Sequence, residues 1–141
     1  SVSDVMTKRV VTVKKDADLY EAANLLSENK VSGLPVVDDR GYVIGIISEA
    51  DLLSMAGMKR GHTFKDRLRH ILGEPLPKPK ARDRIGDIMT APAITTKPDA
   101  DIKEAARVLE KRRIKRLPVV NDEGRLIGII SRADIVKAMG K

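Results

Sequence analysis

The sequence has no cysteine and no tryptophan, and its 141 residues include one phenylalanine and two tyrosines. Without cysteine the chain cannot form disulfides, thiolate metal ligands or a cysteine nucleophile. Three aromatic rings are too few for the base-stacking platform of a single-strand nucleic-acid binder. No apolar run approaches the ~18 residues of a membrane span, and no basic leader followed by an apolar stretch is present, so we expect a cytoplasmic protein with no membrane role.

Catalytic motifs are also scarce. The chain has no glycine-rich phosphate loop of the Walker type, and its two histidines, His62 and His70, have no evident carboxylate partner. A metal site built on this histidine pair is disfavoured for the same reason. We therefore expect a protein that is not an enzyme and requires no cofactor.

The net charge of +7 raises the question of nucleic-acid binding. The charge is −3 over residues 1–53, +6 over 54–86 and +4 over 87–141. The basic residues thus lie in a connector and in the second half of the chain instead of covering one continuous face. No recognition-helix or zinc-finger pattern accompanies them, which argues against direct nucleic-acid binding.

The main positive feature is an internal repeat. The stretch from Asp4 to Asp51 returns without gaps 83 positions later, from Asp87 to Asp134. Three motifs occur twice in the same order: Asp-(Val/Ile)-Met-Thr, Leu-Pro-Val-Val and Gly-Ile-Ile-Ser-x-x-Asp. A unit of roughly 50 residues is small for an independent core, so we expect the two copies to share one.

Each copy predicts the order β-α-β-β-α. The first element is a short strand (Val10 to Val13; Ala93 to Thr96), and the second is a helix capped by Asp18 or Asp101 with a reciprocal bond from Glu21 or Glu104. Two apolar strands follow around a turn with Gly41 or Gly124, and a second helix ends the copy. The apolar strands lack alternation, which suggests strands covered on both faces. We predict an α/β (α+β) fold with repeat 1 at residues 1–56, a basic connector at 57–83 and repeat 2 at 84–141.

The connector is longer than an ordinary loop and predicts structure of its own. Residues 63 to 72 fit a short amphipathic helix with Thr63 as its cap, followed by a proline-rich extended stretch. Its basic residues lie off the apolar stripe. They are either solvated charges on a packing element or a surface that docks a partner.

The Gly-Ile-Ile-Ser-x-x-Asp segment lies where a strand ends and a helix begins, which exposes free amides that favour an anion. Gly45 and Gly128 would allow close backbone approach. Asp51 and Asp134 offer carboxylates that could accept hydrogen bonds from both hydroxyls of a ribose. The alternative is that Ser and Asp only cap the helix.

With these three motifs each present twice, the chain resembles a tandem pair of cystathionine β-synthase (CBS) domains, often called a Bateman module. The resemblance covers both repeats and leaves out the connector. It implies a pseudo-twofold pair of repeats with two clefts that bind adenosine-containing molecules (AMP, ADP, ATP or S-adenosylmethionine). It also implies a homodimer in which two pairs form a disk, and it leaves room for a protein partner or a fused effector domain.

The resemblance also implies site residues. Asp51 and Asp134 would hold ribose hydroxyls, and Ser48 and Ser131 would lie near the ribose or phosphate. The adenine and phosphate path would be lined by the residues before each Leu-Pro-Val-Val, which are Val31, Ser32, Gly33, Ile114, Lys115 and Arg116. Thr12 and Thr95 would reach the opposite repeat's cleft. Met6 and Met89, in the first motif, are interpreted as packing residues.

The two copies differ most at this predicted site. Repeat 2 has Lys115, Arg116 and Arg132 where repeat 1 has Ser32, Gly33 and Glu49. Arginine and lysine suit phosphate oxygens, whereas a carboxylate nearby weakens phosphate binding. We hypothesise that the Asp134 cleft binds a phosphorylated adenine nucleotide. The Asp51 cleft would be empty, weaker, or suited to an uncharged or cationic adenosyl compound such as S-adenosylmethionine.

The leading hypothesis is therefore a regulatory sensor of adenosine-containing ligands. The alternative is a ligand-independent interaction and dimerisation module.

Overall fold

A computed structural model describes residues 1–55 and 84–140 of the chain. The helix predicted for residues 63 to 72 and the proline-rich stretch after it lie outside these residues. None of the described helices is long and apolar enough to span a bilayer.

The described residues form six helices and five strands in two matching series. Repeat 1 contributes α1 (Val2–Val5), β1 (Val13–Lys14), α2 (Leu19–Asn29), β2 (Gly33–Val37), β3 (Val43–Ser48) and α3 (Glu49–Met55). Repeat 2 contributes α4 (Ile85–Ile88), α5 (Ile102–Arg112), β4 (Arg116–Val120), β5 (Leu126–Ser131) and α6 (Arg132–Met139). The predicted α+β class is confirmed. The four-residue helices α1 and α4 precede the predicted series and were not expected from the sequence.

The long helix of each repeat begins at the predicted aspartate. The Asp18 side chain accepts a hydrogen bond from the Glu21 amide at 2.9 Å, and Asp101 accepts from the Lys103 amide at 2.9 Å. Within the described part of the chain, the reciprocal side-chain bond from Glu21 or Glu104 is not formed. The aspartate alone therefore supplies the N-terminal cap.

The two sheets differ in their first strand. In repeat 1, β1 pairs in parallel with β2, and β2 lies between β1 and β3. In repeat 2, β4 and β5 are antiparallel, and Thr96 alone bridges Val119 in parallel. The predicted first strands are thus shorter than expected, because only Val13–Lys14 and the single residue Thr96 make ladder contacts.

Burial of the apolar strands only partly follows the sequence prediction. Every residue of β2 is buried, as expected for a strand covered on both faces. Strands β3 and β5 alternate at their C-terminal ends between buried and half-buried positions. Their uninterrupted apolar runs therefore overstated how completely these two strands are covered.

Glycines form both hairpin turns as predicted. Gly41 and Gly124 have φ of +87° and +88°, a conformation that other residues adopt only with strain. Tyr42, after the first turn, forms an antiparallel bridge with Arg125, the residue at the same position of repeat 2. The Arg125 guanidinium also lies 5.6 Å from the centre of the Tyr42 ring, within the range of a cation–π contact.

The chain divides into two compact units that do not coincide with the sequence repeats. Of the described residues, the repeat-1 unit holds 11–38, 44–55 and 84–92, and the repeat-2 unit holds 1–10, 39–43 and 93–140. The leading segments of the repeats (Asp4 to Thr7, with α1, and Asp87 to Thr90, with α4) are therefore exchanged. Each leading segment packs in the unit built mainly from the other repeat.

The hydrophobic cores show the same exchange. Ile85 of α4 is fully buried in a cluster with Leu26, Leu34 and Ile47 of repeat 1. Val2 of α1 is fully buried with the repeat-2 residues Leu109, Leu117, Val119 and Ile130. The single shared core expected from the sequence is replaced, among the described residues, by two clusters. Each cluster draws on both repeats.

Candidate ligand site

The Ser-x-x-Asp segment of repeat 1 closes on itself at the start of a helix. Ser48 is the last residue of β3, and Asp51 is the third residue of α3. The Ser48 amide donates to Oδ2 of Asp51 at 2.8 Å, and the Ser48 hydroxyl donates to the same oxygen at 3.0 Å. The Asp51 amide donates in return to the Ser48 hydroxyl at 3.3 Å. Both side chains are half-buried.

Repeat 2 forms the two backbone-amide bonds of this arrangement. The Ser131 amide donates to Oδ2 of Asp134 at 2.9 Å, and the Asp134 amide donates to the Ser131 hydroxyl at 3.1 Å. Serine and aspartate therefore cap the helix in both copies, and a further ligand role for them stays a prediction. The cap occupies one carboxylate oxygen, and within the described residues Oδ1 of each aspartate accepts no hydrogen bond. A carboxylate held in this way still has acceptor capacity for a ligand.

The segment before each Leu-Pro-Val-Val lies beside the same helix start. The Glu49 amide donates to the Ser32 carbonyl at 2.9 Å, and the Arg132 amide donates to the Lys115 carbonyl at 3.0 Å. Val31 is exposed and Gly33 is buried. The structure thus brings the two predicted parts of each site together inside one unit, Val31 to Gly33 with Asp51 and Ile114 to Arg116 with Asp134.

Arg132 is fixed by a bond that repeat 1 does not have. Its Nε donates to the Ile114 carbonyl at 3.0 Å, and the two terminal nitrogens of the guanidinium carry the other four of its five N–H donors. Glu49, at the same position of repeat 1, has no donor with which to make this bond. The basic character predicted for the Asp134 site therefore has a defined geometry at Arg132.

The leading segments fill the space beside Gly45 and Gly128. A Cβ on Gly45 would lie 2.5 Å from Sδ of Met89 and 2.9 Å from the Thr90 carbonyl. A Cβ on Gly128 would lie 2.6 Å from Sδ of Met6 and 3.0 Å from the Thr7 carbonyl. The close backbone approach predicted for these glycines is thus made by the exchanged leading segments. The packing role predicted for Met6 and Met89 is confirmed.

Backbone pairing holds the leading segments against the site strands. Thr90 and Ile46 exchange two backbone hydrogen bonds of 2.8 and 3.0 Å, and Thr7 and Ile129 exchange two of 2.8 and 2.9 Å. Sequence reasoning did not place these threonines beside the site. The twice-repeated Asp-(Val/Ile)-Met-Thr motif was the available signal, but its position in the other repeat's unit is not encoded locally.

Thr12 and Thr95 lie just before the residues that pair with β2 and β4. Thr12 is half-buried in the repeat-1 unit, and Thr95 is exposed in the repeat-2 unit. Each therefore belongs to the unit that holds its own repeat's Ser-x-x-Asp segment. The reach of each threonine into the opposite cleft stays a prediction. In the part of the chain that the structure describes, no histidine, aspartate and glutamate cluster could hold a metal ion.

The chain matches the model of a known protein family. A family model described as the CBS domain matches residues 2–56 and 85–141. The chain belongs to the CBS domain family. The resemblance predicted from the three duplicated motifs is therefore confirmed.

The sequence relatives of this CBS pair include a protein of similar length. The chain is 37% identical to protein MJ1426 of Methanocaldococcus jannaschii over 98% of its own length and 90% of the relative's. It is 34% identical to the chloroplastic CBS domain-containing protein CBSX2 of Arabidopsis thaliana and covers 63% of that sequence.

Solved structures of CBS pairs match the fold. The structure of CBSX2 in complex with AMP has a TM-score of 0.79 at 33% identity and covers 99% of this chain and 95% of its own. The CBS pair of protein MJ0100, in complex with 5′-methylthioadenosine and S-adenosyl-L-methionine, has a TM-score of 0.77 at 27% identity, with coverages of 99% and 94%.

Proposed function

We propose that this CBS pair is a regulatory module that binds adenosine-containing ligands, with one site in each unit at the Ser-x-x-Asp helix start. The observation that carries the proposal is the held carboxylate, which recurs with nearly the same hydrogen bonds at Asp51 and Asp134. The crystallised CBSX2 with AMP, and the MJ0100 pair with methylthioadenosine and S-adenosylmethionine, support an adenosyl ligand class.

The geometry of the carboxylate suits a ribose. Its Oδ2 is fixed by the serine amide, so the group loses little side-chain freedom when it binds a ligand. The Oδ1 atom can then accept from the two adjacent ribose hydroxyls, and hydrogen bonds to a charged acceptor are stronger than neutral ones. Ser48 and Ser131 contribute to the same site by orienting the carboxylate.

The two sites differ in charge at matching positions. Lys115, Arg116 and Arg132 favour a phosphorylated nucleotide in the repeat-2 unit. Glu49 in the repeat-1 unit disfavours phosphate and suits an uncharged or cationic adenosyl compound such as S-adenosylmethionine. Val31 to Gly33 and Ile114 to Arg116 line the rest of each site. Thr12 and Thr95, which lie just before the residues that pair with β2 and β4, are further ligand contacts in this proposal.

The module acts as a sensor and not as a catalyst. Ligand binding regulates an attached or associated partner only if the ligand has different affinities for two states of the pair. The resulting coupling free energy is typically ~1–3 kcal/mol.

The test is isothermal titration of the full chain with AMP, ADP, ATP and S-adenosylmethionine, using Asp134→Asn and Asp51→Asn. An asparagine oxygen can still accept from the serine amide, so the cap is kept while the charge is lost. We expect Asp134→Asn to weaken nucleotide binding about tenfold or more, because hydrogen bonds to charged groups contribute ~1.5–3 kcal/mol. Asp51→Asn should leave nucleotide binding unchanged.

Asp122→Asn is the matched control, since it makes the same substitution at an exposed position of the turn in the repeat-2 unit. It should bind like the unaltered chain. Nucleotide binding that survives Asp134→Asn would contradict the assigned site, and heat from none of the four compounds would contradict the function.

A second candidate is a ligand-independent homodimerisation module. It is favoured by the exposed apolar side chains Val136 and Met139, which lie one helical turn apart on α6 with 68% and 78% of their surface accessible. The same titration separates the two functions, because only the sensor requires an adenosyl ligand.

A further inference from the structure

A cluster of cations surrounds the turn between α5 and β4 and extends to the start of α6. This cationic cluster consists of Lys111, Arg112, Arg113, Lys115, Arg116 and Arg132. All six lie in the repeat-2 unit, and all but the half-buried Arg116 are exposed. Five of them fall within the six residues from 111 to 116.

Backbone contacts join the parts of the cationic cluster. Helix α5 ends at Arg112, and Arg113 turns the chain in the left-handed conformation with φ of 54°. The next carbonyl, that of Ile114, accepts the bond from Arg132 Nε at 3.0 Å. The cluster therefore runs without interruption from the end of α5 to the helix start that holds Asp134.

The fold does not require five of these six cations, because repeat 1 makes the same turn with a cation only at the position of Arg113. Lys30 turns the chain with φ of 53°, and the Glu49 amide bonds to the Ser32 carbonyl as the Arg132 amide bonds to that of Lys115. At the positions of Lys111, Arg112, Lys115, Arg116 and Arg132, repeat 1 has Glu28, Asn29, Ser32, Gly33 and Glu49.

Helix-end electrostatics do not explain the cluster either. Cations near a helix C-terminus interact favourably with the helix dipole, and Lys111 and Arg112 lie in the last turn of α5. However, α2 has the same length and has no basic residue in its last turn. A helix of this design is thus stable without the two cations.

Four of the six cations also have no acidic partner within the part of the chain that the structure describes. Among the described residues, no ion pair is formed by Lys111, Arg112, Arg113 or Lys115. Like charges on neighbouring positions repel each other, and this repulsion is relieved when an anion binds. A single phosphate carries about two negative charges, fewer than the cluster provides.

We propose that the cationic cluster makes the Asp134 site selective for adenosine di- and triphosphates over the monophosphate. This inference rests on the proposed function, because the adenosine must bind at Asp134 for its phosphates to extend over the cluster. Each further phosphate adds negative charge along the path from Arg132 to the end of α5. Repeat 1, with Glu28 and Glu49 on the equivalent path, has no such selectivity.

The experiment compares two double variants by isothermal titration with AMP, ADP and ATP, without divalent cations and at about 0.15 M salt. Arg112→Asn with Lys115→Ser gives two positions of the cluster the residues found in repeat 1. Arg107→Asn with Lys137→Ser also introduces repeat-1 residues, at exposed positions outside the cluster. The two variants therefore make the same chemical change and lose the same charge.

We expect the unaltered chain and the Arg107/Lys137 variant to bind ATP about tenfold or more tightly than AMP. The Arg112/Lys115 variant should lose most of this preference. Equal affinities for AMP and ATP in the unaltered chain would overturn the inference and leave the proposed function intact. Absence of binding by any adenosyl compound would overturn both. Inorganic tripolyphosphate that binds as tightly as ATP would show a general anion site and would also overturn the inference.

Discussion

At the scale of single residues, Gly45 and Gly128 control whether the leading segments can dock. We expect Gly45→Ala to lower the free energy of unfolding by about 1–3 kcal/mol, because the new methyl group would overlap Met89 and the Thr90 carbonyl. Gly128→Ala should have a similar effect through Met6 and Thr7. Urea unfolding measures both.

Gly140→Ala is the control for these substitutions. A Cβ at Gly140 would meet its nearest atoms at an ordinary 3.7 Å, and its φ of −80° is accessible to alanine. This variant should unfold at the same urea concentration as the unaltered chain or slightly higher. If Gly45→Ala unfolded at the same urea concentration as Gly140→Ala, the conclusion that the leading segment packs closely on β3 would be refuted.

The residue scale also shows what sequence could and could not predict at the site. The Ser-x-x-Asp spacing offered a helix cap as the alternative to a ligand site, since hydroxyl and carboxylate at that spacing satisfy the free amides of a helix start, and both copies form that cap. The packing role of Gly45 was not predictable, because the sequence does not show that Met89 fills the space beside this glycine. The same is true of the Arg132 bond to Ile114, which depends on tertiary proximity.

At the scale of secondary-structure elements, the exchanged helices α1 and α4 give the clearest prediction. Ile85→Ala should destabilise the repeat-1 unit by about 2–5 kcal/mol, because Ile85 is fully buried there although it belongs to repeat 2. Hydrogen exchange should accelerate about tenfold or more at the amides of α2 and β2. The amides of α5 and β4 should change much less.

Val2→Ala is the reciprocal variant. Val2 is fully buried against repeat-2 residues, so its truncation should accelerate exchange in α5 and β4 more than in α2 and β2. The two variants act as each other's control. If each substitution mainly affected its own repeat, the exchange of leading segments would be refuted.

Most elements were predictable, but the partner of each leading segment was not. Glycine turns, capping aspartates and apolar stripes predicted the helices and hairpins, because these signals act within a few residues. The two leading segments have nearly the same sequence, and both cores offer a glycine for the methionine. Local pattern therefore cannot tell which core receives which segment.

At the scale of the whole molecule, neither sequence repeat is complete by itself. The fragment of residues 1–56 lacks Ile85, which is buried among its core residues. The fragment of residues 84–141 lacks Val2, which is buried among its core residues. We expect each fragment alone to show no cooperative thermal transition by circular dichroism. An equimolar mixture should regain helicity and a cooperative transition, because each fragment then supplies the missing segment.

Substitution of Ile85 by alanine in the second fragment should weaken this reconstitution, whereas Val136→Ala at an exposed position should not. A cooperative transition in either fragment alone would contradict the prediction. It would mean that one repeat can complete its core without the leading helix of the other repeat.

The bridge between Tyr42 and Arg125 has an evolutionary consequence. These residues occupy the same position of the duplicated sequence, so in a symmetric ancestor made of two identical single-repeat chains that position would face its own copy. Such a self-facing position can place two rings or two cations together, but never a ring against a cation. In a chain that carries both copies the two positions can hold different residues, and the contact of guanidinium and aromatic ring depends on that difference.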